Sequence, residues 1–110
     1  MNFKNSHIYQ RTVELLQVVK TVIEELPPGY AFLADQLRRA SFGILLNFAE
    51  GCGKHTAKDR KRFFYISKGS SYEVYSALEA GRIFQVVSIE NCTNGQNLCD
   101  QIGAMLNCYR

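Results

Sequence analysis

The sequence predicts an all-α protein, an antiparallel up-and-down four-helix bundle, on three observations. Apolar residues recur at three- and four-residue steps through most of the chain. No segment alternates apolar and polar residues over six positions between turn signals, as a half-buried strand would. The two prolines stand together at Pro27 and Pro28, which leaves long stretches free to be helical.

The first helix is expected over residues 6–26. Ile8, Leu15, Val19, Val22 and Leu26, with Thr12 completing the row, form its apolar stripe. Ser6 is placed as an N-cap, and Pro27-Pro28-Gly29 stops the helix. A second helix, residues 30–50, carries Leu33, Leu37, Ala40, Ile44 and Phe48 in one row, with Gly51 as a left-handed C-cap. Gly43 in its interior costs about 1 kcal/mol relative to alanine, which close approach of a neighbouring helix would offset. Thr56, with Asp59 three residues on, caps a long third helix over residues 57–87, in which Gly69 and Gly81 mark close contacts or a bend. The fourth, residues 94–109, is read from a Thr93–Gln96 capping box and the stripe Leu98, Ile102, Met105, Leu106, Tyr109. Gly95 and Gly103 weaken it, so its stability must come from packing. Short connections favour antiparallel neighbours.

A chain of 110 residues forms a single domain. With 46% hydrophobic and 21% charged residues it is a folding composition, not a disordered one. The first residues lack the apolar run of a secretory signal. The longest uncharged stretches, Ala40–Ala49 and Ile83–Ile89, fall far short of the ~20 residues of a membrane span. The expectation is a cytoplasmic protein with no membrane association. Cys52, Cys92, Cys99 and Cys108 form no C-x-x-C pair, and His7 and His55 stand at no finger-like offset from them. Reduced, packed thiols with no metal and no cofactor are the expected state.

Charge is distributed unevenly. From Arg38 to Lys68 eight cations face two carboxylates, a local +6 in a chain of net +3, which leaves −3 for the remainder. Lys54, His55, Lys58, Lys61 and Arg62 surround the start of the third helix, where free N–H groups and the helix dipole already favour anions. Lys58, Lys61 and Arg62 share an exposed face with Tyr65. Such a patch fits the phosphates of RNA or DNA and carries little sequence information; the plain alternative is a solvated surface. Gly51 and Gly53 lack the spacing and the preceding strand of a phosphate-cradling loop.

A polar row, Arg39, Asn47 and Glu50, lies along the second helix with Gly43, and Ser70 and Glu73 share a face of the third. Antiparallel packing around the intervening turn would bring Arg39 to an ion pair with Glu73, with Ser70 accepting a hydrogen bond. These five residues are read as a polar seam that fixes helix register. The alternative, an active site using Glu50, Arg39 or His55, lacks a nucleophile tied by spacing to a base, so no catalysis is expected. Phe63, Phe64, Tyr65, Tyr72 and Tyr75 exceed what one small core absorbs, which points to self-association.

The segments QLRRAS at Gln36–Ser41, NFAEG at Asn47–Gly51, and the run of lysine, aromatic, serine and glycine positions from Lys58 to Glu73 resemble those of the 23S rRNA intervening-sequence proteins. The resemblance covers most of the chain; Arg38, Arg39, Asn47, Glu50, Gly51, Phe63, Gly69, Ser70 and Glu73 match the pattern, and the cysteine-rich fourth helix departs from it. It implies a bacterial four-helix bundle that assembles into a ring, usually a homopentamer, with no established enzymatic activity. A distant relative, the accessory variability determinant of diversity-generating retroelements, is a basic pentameric bundle that works with a reverse transcriptase and binds nucleic acid. The expected function is a non-enzymatic, oligomeric bundle that binds RNA or DNA through the basic patch. The alternative is a scaffold or accessory factor for a reverse transcriptase, a ribosome-associated machinery or another protein partner.

Overall fold

Four helices account for nearly the whole chain, because each carries an apolar row that only another helix can cover. The computed structural model describes residues 3–109. A single 3-10 turn at Phe3–Asn5 precedes α1 (His7–Glu25), α2 (Ala31–Cys52), α3 (Ala57–Ile83) and α4 (Ile89–Cys108). No strand occurs among the described residues, and the molecule measures 45 × 21 × 19 Å.

Local chemistry sets the first boundaries as expected. Ser6 Oγ accepts from the Tyr9 N–H at the start of α1, and Thr56 Oγ1 accepts from the Asp59 N–H at the start of α3. Leu26 adopts an extended conformation (ψ 135°), as a residue before proline must. Gly29, at φ 98°, turns the chain into α2.

Three boundaries differ from the sequence reading. Helix α2 does not stop at a left-handed Gly51; it runs on to Cys52 and is capped by Gly53 in a right-handed conformation. Gly51 is glycine for a different reason: a Cβ there would stand 2.6 Å from Cε1 of the Phe64 ring. Helix α3 ends at Ile83, not Val87, and α4 begins at Ile89 with Ser88 as its cap, five residues before Thr93. The Gln85 N–H donates to the Arg82 carbonyl and the Val86 N–H to the Gly81 carbonyl, the paired bonds of a Schellman stop. Gln85 fills its left-handed position at φ 61°. Gly81 lets Val87 fold back onto the helix, since a Cβ at position 81 would collide with Cγ2 of Val87.

The core is a continuous row through all four helices. Leu15, Leu37, Ile44, Phe48, Leu78 and Ile102 are fully buried, each contributing about 1.5–3 kcal/mol of transfer free energy. At one end Phe48, Phe64 and Tyr109 meet with ring centroids 5.2–5.7 Å apart. Between α2 and α3, Gln36 meets Glu73, Gly43 meets Ser70, Ile44 meets Ser67 and Gly51 meets Phe64. Between α3 and α4, Lys68 meets Asn107, Leu78 meets Cys92 and Glu79 meets Gln96. Arg11 of α1 reaches Gln101 of α4. The Gly43 and Gly95 positions are contact points: a Cβ at Gly43 would lie 2.8 Å from Ser70 Oγ, and one at Gly95 against Leu78. Gly69 has nothing within 4 Å of where a Cβ would stand, so the close contact that was one of the two expectations there is not made within its own chain.

Two substitutions test these boundaries in urea denaturation. Gly51→Ala drives a methyl into a buried ring and should destabilise by about 2 kcal/mol, overpacking outweighing the gain in helix propensity. Gln85→Gly relieves a left-handed side-chain residue and should stabilise by about 1 kcal/mol.

Candidate nucleic-acid interface

The predicted cations lie around the α2–α3 connection and the first two turns of α3, and packing divides them between two sides of that helix. On the α2 side, Lys54 Nζ stands 5.1 Å and the Arg62 guanidinium 4.5 Å from the centre of the Phe63 ring. Cation–π contacts at such exposed sites are worth about 0.5–1 kcal/mol each, enough to bias where these flexible side chains rest. On the α4 side, Lys58 and Lys61 line a cleft of about 500 Å³ together with Arg60, Phe64, Asn107 and Tyr109. His55 is exposed at the connection.

Arg60 holds the two sides together. Its Nη1 donates to the carbonyls of Lys54 and His55, both at 3.1 Å, so a cation within the helix fixes the loop that carries those two residues. The sequence carried a signal for this role. Arg60 falls in phase with the inward row Phe64, Ser67, Ser71, Val74 and Leu78, where an exposed cation would be out of place. Among the described residues, Lys54 is the only member of the predicted cluster with a carboxylate within 4 Å, Glu50 at 3.9 Å. An exposed pair at that distance is worth little. Lys58, Lys61 and Arg62 are exposed and present their charge outward.

The predicted polar seam forms with different partners. Arg39 does not pair with Glu73. Gln36 lies between them, accepting from Arg39 Nη2 at 2.7 Å and donating to Glu73 Oε2 at 3.0 Å. Asn47 Nδ2 donates to the Gly43 carbonyl at 2.9 Å, and Ser70 Oγ lies against Gly43. The hydroxyl that joins the two helices is that of Ser67, buried, donating 2.7 Å to the Ile44 carbonyl. Gln36 lies within hydrogen-bond reach of both Arg39 and Glu73 and takes up both, so the two are joined through its amide rather than directly. Arg39 bonds Gln36 and Glu50 stands 3.9 Å from Lys54, while His55 offers its backbone carbonyl to Arg60.

The crowded aromatics separate into two groups. Phe64 is buried, and Phe63 and Tyr75 are half-buried, while Tyr65 and Tyr72 face solvent. Sequence reasoning missed Asn107 and Tyr109, because their place in the cleft depends on where α4 ends relative to α3. Among the described residues, no group of three or more His, Cys, Asp or Glu side chains could hold a metal ion. No helix is long and apolar enough to cross a membrane among those residues. Compared with known protein families, residues 4–108 match the profile described as 23S rRNA-intervening sequence protein. No curated protein matches the chain.

The thiols lie beneath and away from this surface. All four are free; Cys52, Cys92 and Cys99 are buried and Cys108 is exposed. Burial pushes the Cys52 thiol up, with the Tyr109 hydroxyl acting against it. Burial, then the nearby Glu79 carboxylate, raises Cys92. Burial also lifts Cys99 from 9.0 to about 12. Buried thiols with raised pKa are poor nucleophiles. With a thiol-reactive chromogenic disulfide at neutral pH, Cys108 should react at once and the other three only after denaturant is added; prompt reaction of two or more would contradict this burial. Folded thiols ionise later than unfolded ones, so stability should fall as pH rises from 9 towards 12.

Proposed function

We propose that this chain, which belongs to the 23S rRNA-intervening sequence protein family, is a non-enzymatic, oligomeric four-helix bundle that binds RNA or DNA through the start of α3. The observation that carries the reading is the set of exposed, carboxylate-free cations Lys58, Lys61 and Arg62, with Lys54 and Arg62 seated on Phe63. Clustered cations of this kind bind phosphate backbones with little regard to sequence and respond steeply to salt. The family's name adds an association with ribosomal RNA. We place the protein in the bacterial cytoplasm.

The helices alternate up and down. Partner numbers fall along α3 as they rise along α2, from Gln36 with Glu73 to Gly51 with Phe64, the pattern of an antiparallel pair. Self-association into a ring is supported by exposed apolar side chains on the outer faces of α2 and α3, Phe42, Leu46 and Ile66. In a ring, copies of the cationic surface would act together through avidity.

A second reading has an observation of its own. Phe32, Ile83, Phe84 and Ile89 are exposed at the end of the helices remote from the cations. An apolar tip suits a protein partner, as an accessory factor for a reverse transcriptase or a ribosome-associated machinery would require. Catalysis finds no such support, since Arg39 bonds Gln36 and Glu50 bonds Lys54.

Replacing Lys58, Lys61 and Arg62 together by glutamate should abolish retention on RNA at low salt while leaving the helical circular-dichroism signal unchanged. The parent's affinity should fall with salt at a log–log slope of about −2, three phosphate contacts at ~0.7 each. Unchanged retention by the triple variant would refute the assignment.

A further inference from the structure

We infer that the nucleic acid this surface takes is single-stranded, laid along one face of α3 with unpaired bases stacked on Tyr65 and Tyr72 and a nucleotide seated in the cleft beside Asn107. The inference rests on the reading that the start of α3 binds nucleic acid, and it names which form.

Lys58, Lys61, Tyr65, Lys68 and Tyr72 follow one another at steps of three and four, so they share one side of the helix. Three cations and two aromatic rings are therefore interleaved over about 21 Å of helix axis, fourteen residues at 1.5 Å each. Tyr65 is 64% and Tyr72 55% exposed, and among the described residues neither ring meets another ring of this chain. Gly69 lies between the two tyrosines, with nothing within 4 Å of where its Cβ would be. A bare glycine there lets a ligand backbone approach the helix closely.

Lys68 is held rather than loose. Its Nζ donates 2.8 Å to Asn107 Oδ1 and stands 5.6 Å from the centre of the Tyr72 ring. That bond turns the amide oxygen of Asn107 towards Lys68 and leaves its NH₂ group as a donor for a base carbonyl, ring nitrogen or phosphate oxygen. The cleft's volume of about 500 Å³ lies within the ~300–1,000 Å³ of small-ligand sites. A cationic track with aromatic platforms suits unpaired bases, whose faces are free; in a duplex those faces are stacked on one another and only phosphates remain to be met.

The test is fluorescence anisotropy with a labelled single-stranded RNA and the blunt duplex of the same sequence, on the parent and on Tyr65→Ala/Tyr72→Ala. The parent should prefer the single strand. The double variant, unchanged in charge, should lose roughly 30-fold in single-strand affinity, at the low end for two lost stacks, and less than about twofold for the duplex. Asn107→Leu should lower single-strand affinity by about five- to tenfold, one hydrogen bond's worth. Equal binding of both RNA forms by the parent, equal losses on both by the tyrosine variant, or a changed particle mass in light scattering would each overturn the inference. The glutamate triple variant separates the two levels: if it still binds, the nucleic-acid reading itself fails. If it does not bind while the tyrosine variant binds single strands normally, only the single-strand inference falls.

Discussion

The contact between α2 and α3 is the constraint on which everything else depends. Gly51 gives up its side chain so that the Phe64 ring can lie against α2, and Gly43 does the same for Ser70. Ser67 then donates across the narrowed gap to the Ile44 carbonyl. These contacts set how far α3 slides along α2, and so where its first two turns emerge. Move that register by one residue and Phe64 leaves the aromatic cluster with Phe48 and Tyr109. The cleft that Phe64 walls would go with it.

Given that register, the cations have little freedom in where they point. Arg60 must face inward with the buried row, and it satisfies its charge by bonding the loop carbonyls. Lys54 and Arg62 settle on Phe63, and Lys68 is tethered to Asn107. Lys58 and Lys61 stand at the rim of the cleft between α3 and the end of α4. A group of like charges costs self-repulsion in the folded state. It is sustained here because the charges are spread around a helix and remain largely in water, where repulsion is weak.

Much of the fold was legible because local chemistry and packing agree. Ser6 and Thr56 cap the helices they were read to cap, and Gly43 proved to be a point of close approach. What could not be read depended on backbone conformation or on distant partners. Gln85 occupies a left-handed position that glycine usually fills, so the end of α3 carried no signal and Ile83–Val87 passed for more helix. Gly51 looked like a cap because glycine is common there, whereas its cause is a ring thirteen residues away. The cationic cluster was visible in the chain, but its division into two sides was not. Neither was the part played by Asn107, which enters only once α4 is placed.

A polyanion bound at the start of α3, as proposed, would cover the lysines there and leave the one on α1 open. Lysine acetylation footprinting by mass spectrometry, with and without RNA at low salt, tests this directly. Lys54, Lys58 and Lys61 should be protected several-fold by RNA, while Lys20, exposed on α1, keeps its reactivity. Equal protection of Lys20, or none at Lys58 and Lys61 when RNA is bound, would contradict the account.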